Sequence, residues 1–224
     1  MGPSREQVVG VVVTYFPDIG ALRELLAAAR PQVAALVVVD NTPVTAPAGA
    51  CCPPMDDVEI ISLGFNAGLA AGLNHGCEWA RRRGAGFALL FDQDSVPAAD
   101  MLDRLAVAWT AAAASGLRVA AAGPRFSDSR GARVFPFLRV GMLRNRVVEP
   151  RPSDEFVRTD ILITSGCLIA LGALSDAGAM DESLFIDNVD LEWGFRARAR
   201  GWALIGAPHA KLGHRIGDEH VVAP

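Results

Sequence analysis

Asp92 and Asp94, separated by Gln93 in the run Phe91-Asp92-Gln93-Asp94-Ser95, stand directly after an apolar stretch. Two carboxylates at that spacing in a loop can face one cavity and offer hard oxygen ligands to Mg²⁺ or Mn²⁺, cations that keep further positions for phosphate oxygens. The same residues also suit a plainer task, with Asp94 or Ser95 capping the helix that follows. A second acidic group lies in Phe185-Ile186-Asp187-Asn188-Val189-Asp190-Leu191-Glu192-Trp193. Asp187 and Asp190, three apart, are expected as neighbours on a helical face, with Leu191 and Phe195 directed to the core. A carboxylate there, partly shielded by Trp193, could accept a proton from a hydroxyl. Against this stands simple complementation of the helix dipole. His214, in Leu212-Gly213-His214-Arg215, is a third candidate, since imidazole beside carboxylates suits Mn²⁺ as well as Mg²⁺. His75, His209 and His220 have no comparable setting.

Templates for other chemistries are missing. The chain has no G-x-x-x-x-G-K-[ST] phosphate loop, no G-x-S-x-G elbow and no H-E-x-x-H. Its first apolar run leads into Thr14-Tyr15-Phe16-Pro17 rather than a G-x-G-x-x-G turn, which demotes a dinucleotide-binding dehydrogenase.

The elements that must hold these residues alternate. Val8 to Thr14 is an unalternated β-branched run, as expected of a parallel strand covered on both faces. Asp18 then precedes a helical stretch from Ile19 to Ala29 with Leu22, Leu25, Leu26 and Ala29 on one face. Leu36–Val39, Val58–Ile61, Phe87–Phe91 and Val119–Ala122 read as further strands. Between them, helices are expected over Asn66–Arg83 and Ala98–Ala114, with Pro97 in the first turn of the latter. Gly68, Gly72 and Gly76 form a four-residue stripe, and since glycine costs roughly 1 kcal/mol per helix position, the stripe predicts close approach by a backbone or a ligand. Residues 124 to 157 break the rhythm, after which Ile161–Ile163, Cys167–Ala170 and a helix from Asn188 to Arg200 restore it. Alternation of this kind predicts a doubly wound α/β sheet, which binds ligands at the C-terminal ends of its strands, where Thr14, Asp40 and Asp92 fall.

With 224 residues, 51% of them hydrophobic and 21% charged, the chain is neither disordered nor short of a core. A formal net charge of −4 gives no general attraction to nucleic acid or anionic lipid, so a phosphate partner needs a local site or a metal. No apolar stretch of about 18 residues is present, and the N-terminus lacks a signal-peptide pattern, so the chain is expected in the cytoplasm. Cys51, Cys52, Cys77 and Cys167 match no zinc spacing and fit a reducing compartment.

Read in order, the segments VVVTYFPD, VVVDNT, GFNAGLAAGLNHG, LLFDQDS, LITSGCLIA, FIDNVDLEWGFRARARGW and LGHRIG resemble the GT-A glycosyltransferases of inverting family 2, above all their rhamnosyltransferase-like and galactofuranosyltransferase-like members. The resemblance runs from Val8 to Gly217 and implies a GT-A fold, a Rossmann-like, doubly wound, mostly parallel sheet with helices on both faces. It implies one catalytic domain over residues 1–224, with a nucleotide-sugar half at 1–123 and an acceptor half, carrying the base, at 124–224. The implied donor is a dTDP- or UDP-linked sugar, with dTDP-rhamnose the best match, and the implied cofactor is Mg²⁺ or Mn²⁺. Thr14, Tyr15, Asp40, Asn66, Asp92, Gln93 and Asp94 would be donor-side residues. Asp94 and His214, with Asp92 as a further candidate, would bind the metal. Asp190 would be the catalytic base, and Gly166, Glu192 and Trp193 would lie toward the acceptor, which is a glycan, a lipid-linked glycan or a small molecule. Peripheral contact with the inner face of the membrane stays open, and so do two rival readings, a sugar-phosphate nucleotidyltransferase and a catalytically silent sugar-nucleotide-binding subunit.

Overall fold

The computed structural model describes residues 2–47, 49–128, 135–141 and 144–214. At its centre is β1 (Val8–Thr14), every residue of which is buried. A β-branched run with no polar face fits only where both sides of a sheet are covered. The chain then turns at Asp18, whose carboxylate accepts hydrogen bonds from the amides of Gly20 and Ala21 and so starts α1 (Ile19–Ala29). Strands β2 (Ala35–Asp40) and β3 (Val58–Ser62) follow, then α2 (Gly68–Arg82) and β4 (Phe87–Asp92). These strands run parallel in the order β3-β2-β1-β4, with Thr14 in register with Asp40 and Val13 with Asp92. The expected strand-end residues are thereby brought side by side.

At Gly72 and Gly76 the glycine stripe of α2 is explained by β1. A Cβ on Gly72 would come within 2.7 Å of Val13 Cγ1, and one on Gly76 would overlap Val11 Cγ1 more severely. The close neighbours are therefore strand side chains, which the missing Cβ atoms let the helix approach. Gly76→Ala gains roughly 1 kcal/mol of helix propensity but overpacks a closed interface at about 1–3 kcal/mol. A net loss of up to about 2 kcal/mol is expected by urea denaturation, and a more stable variant would show that Val11 can yield.

After β4 the chain departs from expectation. Ser95–Pro97 forms a short strand, β5, antiparallel to the final strand, and α3 starts only at Met101 (Met101–Ala114). Pro97 thus ends an edge strand, where its missing N–H is tolerated, rather than opening a helix. Next come β6 (Val119–Asp128), a hairpin of β7 (Phe137–Arg139) and β8 (Arg146–Val148), β9 (Val157–Thr159), β10 (Leu168–Ala170), α4 (Leu171–Ala177), α5 (Val189–Ala199) and β11 (Ala203–His214). The hairpin and β9 occupy part of the stretch that the sequence left unplaced. Ile161–Ile163, where the sequence pattern regains its regularity, belongs to no strand, and side chains bond the backbone beside it. Thr159 Oγ1 shares its one hydrogen between the carbonyls of Leu138 and Ile161, and Asp160 accepts from the amide of Val140 and pairs with Arg139 and Arg198.

Among the described residues nine strands share one mixed sheet, ordered β3-β2-β1-β4-β10-β6-β11-β5, with β9 beside β11. Because β10 lies between β4 and β6, and β6 runs through residues 123 and 124, both halves of the chain build the same sheet.

Candidate active site

The site begins where β1, β2 and β4 end. Asp40 is 1% exposed and its carboxylate is fully engaged. One oxygen accepts from Thr14 Oγ1 (3.1 Å), the Thr42 amide (3.0 Å) and Thr42 Oγ1 (2.7 Å), and the other accepts from the Cys52 amide (2.8 Å). The hydroxyl of Thr42 in turn accepts from the Phe16 amide. Asp40 therefore organises the loops after β1 and β2, and Thr14, likewise buried, is one of its partners. Tyr15 is about half exposed, and its main chain is clamped by Gln93, which accepts from its N–H (2.9 Å) and donates to its carbonyl (3.3 Å). Gln93 thus ties the loop after β1 to the Asp92–Asp94 loop, in which both aspartates are half-buried.

Asn41, which sequence reasoning passed over, is buried and holds the start of α2. Its side chain accepts from the Ala67 amide (3.0 Å) and donates to the Gly68 carbonyl (3.3 Å), while Asn66 accepts from the Gly68 amide (3.1 Å). Its position next to Asp40 in a D-N-T run was the available signal. Phe185 is a second omission. It adopts φ 60° and ψ −69°, and the Ile186 amide bonds the Leu184 carbonyl across it (2.7 Å), a tight three-residue turn that costs energy in a non-glycine residue. Its ring lies over Gly68, and its carbonyl accepts from the Ala70 amide.

Asp190 sits in the first turn of α5. Its Oδ2 accepts from the Thr164 amide (3.1 Å) and its Oδ1 from the Leu191 amide (2.8 Å). Burial pushes its carboxyl above the usual aspartate value of 3.8, and those amide bonds hold the rise back. The apolar surroundings include Leu162, Cys167, Met180 and Trp193, which with Asp190 line a cavity of about 20 Å³. Burial also raises the thiol of Cys167 far above its ordinary value, with the Asp190 charge as a second cause.

Several expectations about α5 are corrected. Asp187 does not share the helical face of Asp190, because Asn188 takes a left-handed conformation (φ 61°) and the helix starts only at Val189. Phe195, expected in the core, is 41% exposed, and Leu191 is only half-buried. Val189, Trp193 and Ala197 fill the interior instead, the indole occupying the volume and donating to the Gly178 carbonyl. Glu192 forms a two-pronged pair with Arg196, whose guanidinium also bonds the carbonyls of Ala177 and Ala179, joining α5 to the end of α4.

Gly166 has φ 74°, a left-handed turn that favours glycine, and a Cβ there would meet Pro124 at 2.7 Å. The antiparallel pairing of β11 with β5 sets the main chain of His214 opposite Ser95, the residue after Asp94. The side chain of His214 lies outside the described residues. Among the described residues no group of three His, Cys, Asp or Glu side chains could hold a metal ion. The two half-buried carboxylates of the Asp92–Asp94 loop are nonetheless the hard donors that Mg²⁺ and Mn²⁺ take, and the strand pairing brings a histidine position beside them.

Comparison with known proteins identifies the family and the fold. Residues 11–162 match the family model described as glycosyl transferase family 2. Over 217 residues the chain is 30% identical to the dTDP-rhamnosyl transferase RfbF of Shigella flexneri, an alignment covering 96% of this chain and 71% of that protein. Similar solved structures include GalNAc-T7 with UDP, GalNAc and Mn²⁺ (TM-score 0.68, 14% identity, 94% of this chain) and TarS of S. aureus (TM-score 0.62, 15% identity, 94% of this chain). The chain spans 44% and 37% of those two longer chains. At such identities the likeness is one of fold, that of the GT-A glycosyltransferases.

Proposed function

Because the chain belongs to glycosyl transferase family 2, we propose that it moves a sugar from a nucleotide-diphosphate donor to an acceptor hydroxyl with inversion at the anomeric carbon. L-Rhamnose carried on dTDP is the preferred donor in this reading, supported by the 30% identity to a dTDP-rhamnosyl transferase along 96% of the chain. The observation that carries the mechanism is the placement of Asp190. It is a carboxylate in an apolar setting, held by two backbone amides and connected through the turn at Thr164 to the same strand ends as the Asp92–Asp94 loop.

Tyr15, Asn66 and Gln93 border the donor side, with Thr14 and Asp40 holding the loops that present them. Asp94 and His214, with Asp92, would hold Mg²⁺ or Mn²⁺, which when bound neutralises charge on a leaving diphosphate. Asp190, ionised, accepts the proton of the acceptor hydroxyl as that oxygen bonds to the anomeric carbon. The bond from that carbon to the diphosphate breaks on the opposite side, and the diphosphate leaves with the electron pair. Gly166 lies toward the acceptor, while Glu192 and Trp193 act through the packing of α5.

No helix among the described residues is long and apolar enough to cross a membrane. Four free cysteines fit a reducing compartment, which supports the cytoplasm as the place of action. The acceptor is a glycan, lipid-linked glycan or small-molecule hydroxyl.

The test is donor cleavage, read as nucleoside diphosphate released from dTDP-rhamnose and from UDP-sugars. Release from dTDP-rhamnose is expected in Mn²⁺ or Mg²⁺, and chelation should lower it roughly a hundredfold or more, with recovery when the ion is restored. Tight nucleotide binding without any cleavage would instead favour a silent binding subunit. Cleavage that persists undiminished in chelator would remove the metal from the reading.

A further inference from the structure

We propose that Ser165 is a positioning residue that fixes the acidic loop and the catalytic base relative to each other, an inference that rests on the roles given above to Asp94 and Asp190. Ser165 is fully buried, and its hydroxyl shares a hydrogen bond with that of Ser95, itself 1% exposed. Ser95 follows Asp94 directly and lies opposite His214 in the pairing of β5 with β11. On the other side, the amide of Thr164 donates to Asp190 Oδ2 at 3.1 Å. Consecutive residues of one turn therefore hold the two chemical halves of the site.

The turn itself has little freedom. The Gly166 amide bonds the Leu90 carbonyl (2.8 Å), the Leu90 amide bonds the Cys167 carbonyl (2.9 Å), and the Cys167 amide closes back on the Thr164 carbonyl (3.0 Å). Leu90 belongs to β4, whose last residue is Asp92, so the turn is fastened to the strand that delivers the acidic loop. Two hydroxyls buried together need hydrogen-bond partners and here share one bond, and an apolar pair of similar size would fill the space without that demand. What the hydroxyl pair adds over such a fill is direction. A hydrogen bond fixes the distance and angle between Ser95 and Ser165, and through them the separation of Asp94 from Asp190. Reacting groups displaced by about 1 Å lose on the order of a hundredfold in rate, so a loosened turn should be felt in the chemistry.

Ser95→Ala, Ser165→Ala and the double variant are compared with wild type and with Asp190→Asn. Each single change strands one buried hydroxyl and should lower the melting midpoint, whereas the double change removes both groups and should recover most of it. If the pair positions the site, the double variant keeps its recovered midpoint yet loses on the order of tenfold or more in kcat for donor cleavage. Its KM for dTDP-rhamnose should stay close to wild type. Binding of Mn²⁺ alone, followed by loss of the free ion's EPR signal, should weaken several-fold, because Asp94 and the His214 position no longer share a fixed neighbour. Ser165→Cys, similar in size and a weak donor, gives the same changes at smaller amplitude should the double variant not fold. Wild-type kcat and Mn²⁺ binding in the stable double variant, with Asp190→Asn inactive, would overturn the role of Ser165 while leaving the base in place. Full activity of Asp190→Asn would overturn the base assignment first, and this proposal with it.

Discussion

Asp190→Asn is expected to lower turnover by a hundredfold to ten-thousandfold, the usual contribution of a positioned base, while the protein melts near the wild-type midpoint. The two effects separate because the substitution touches stability in opposing ways. Asn offers one acceptor oxygen to the amides of Thr164 and Leu191 where Asp offers two, a loss of about 1 kcal/mol. It also removes a charge that burial disfavours, as the raised carboxyl of Asp190 records. For a carboxyl raised by folding, the neutral form is the one the fold prefers, so its contribution is present below the unfolded value and is lost as pH rises through the folded one. Activity has the reverse dependence, since the base works ionised. The acid limb of kcat should therefore fall at a higher pH than an ordinary aspartate with a value of 3.8 would give, and it should vanish from the residual rate of Asp190→Asn. A rate profile that keeps its acid limb in the variant would assign that limb to another group.

Asp40→Ala should cost about 2–6 kcal/mol of folding stability, the range for leaving two buried amides without their acceptor. Two backbone amides and two hydroxyls converge on this carboxylate, which is 1% exposed. An alanine leaves the Thr42 and Cys52 amides without their acceptor in a place water does not reach, and each such orphan costs about 1–3 kcal/mol. Urea denaturation reads the loss directly. Asp40→Asn keeps part of the set and should fall between wild type and Asp40→Ala, with weaker dTDP binding because the Thr14–Tyr15 turn loses part of its anchor. A loss below about 1 kcal/mol for Asp40→Ala would mean that the loops around residues 42 and 52 reseat themselves.

These two aspartates illustrate what could be read from the residues in advance. Asp40 and Asp190 both stand in the resemblance as expected site residues, yet the sequence does not distinguish one whose carboxylate gathers several loops from one set against an apolar cavity. The distinction is made by what surrounds them. Asp40 meets donors from three different segments, and Asp190 faces an apolar cavity while the amides of Thr164 and Leu191 hold it. The stripe of Gly68, Gly72 and Gly76 was likewise visible, with its need for a close neighbour, but not the identity of that neighbour as Phe185, Val13 and Val11. Gln93 stood between the two acidic residues in plain view, while its grip on the Tyr15 main chain spans 78 positions.

Local pattern alone determined the strand at Val8–Thr14, the helix at Ile19–Ala29 with its Asp18 cap, and the acidic run that ends β4, because burial period and capping act within a few residues. Tertiary structure decided the pairing of Ser95–Pro97 with β11, the facing of Ser95 and Ser165, and the choice of Val189, Trp193 and Ala197 over Phe195 as the inner side of α5. Those outcomes depend on register between segments some 70 to 120 residues apart, and on which side chain best fills a volume that several elements enclose together. No window of sequence contains both partners of such a contact, so the residue types that can do chemistry are written locally and their alignment into one site is not.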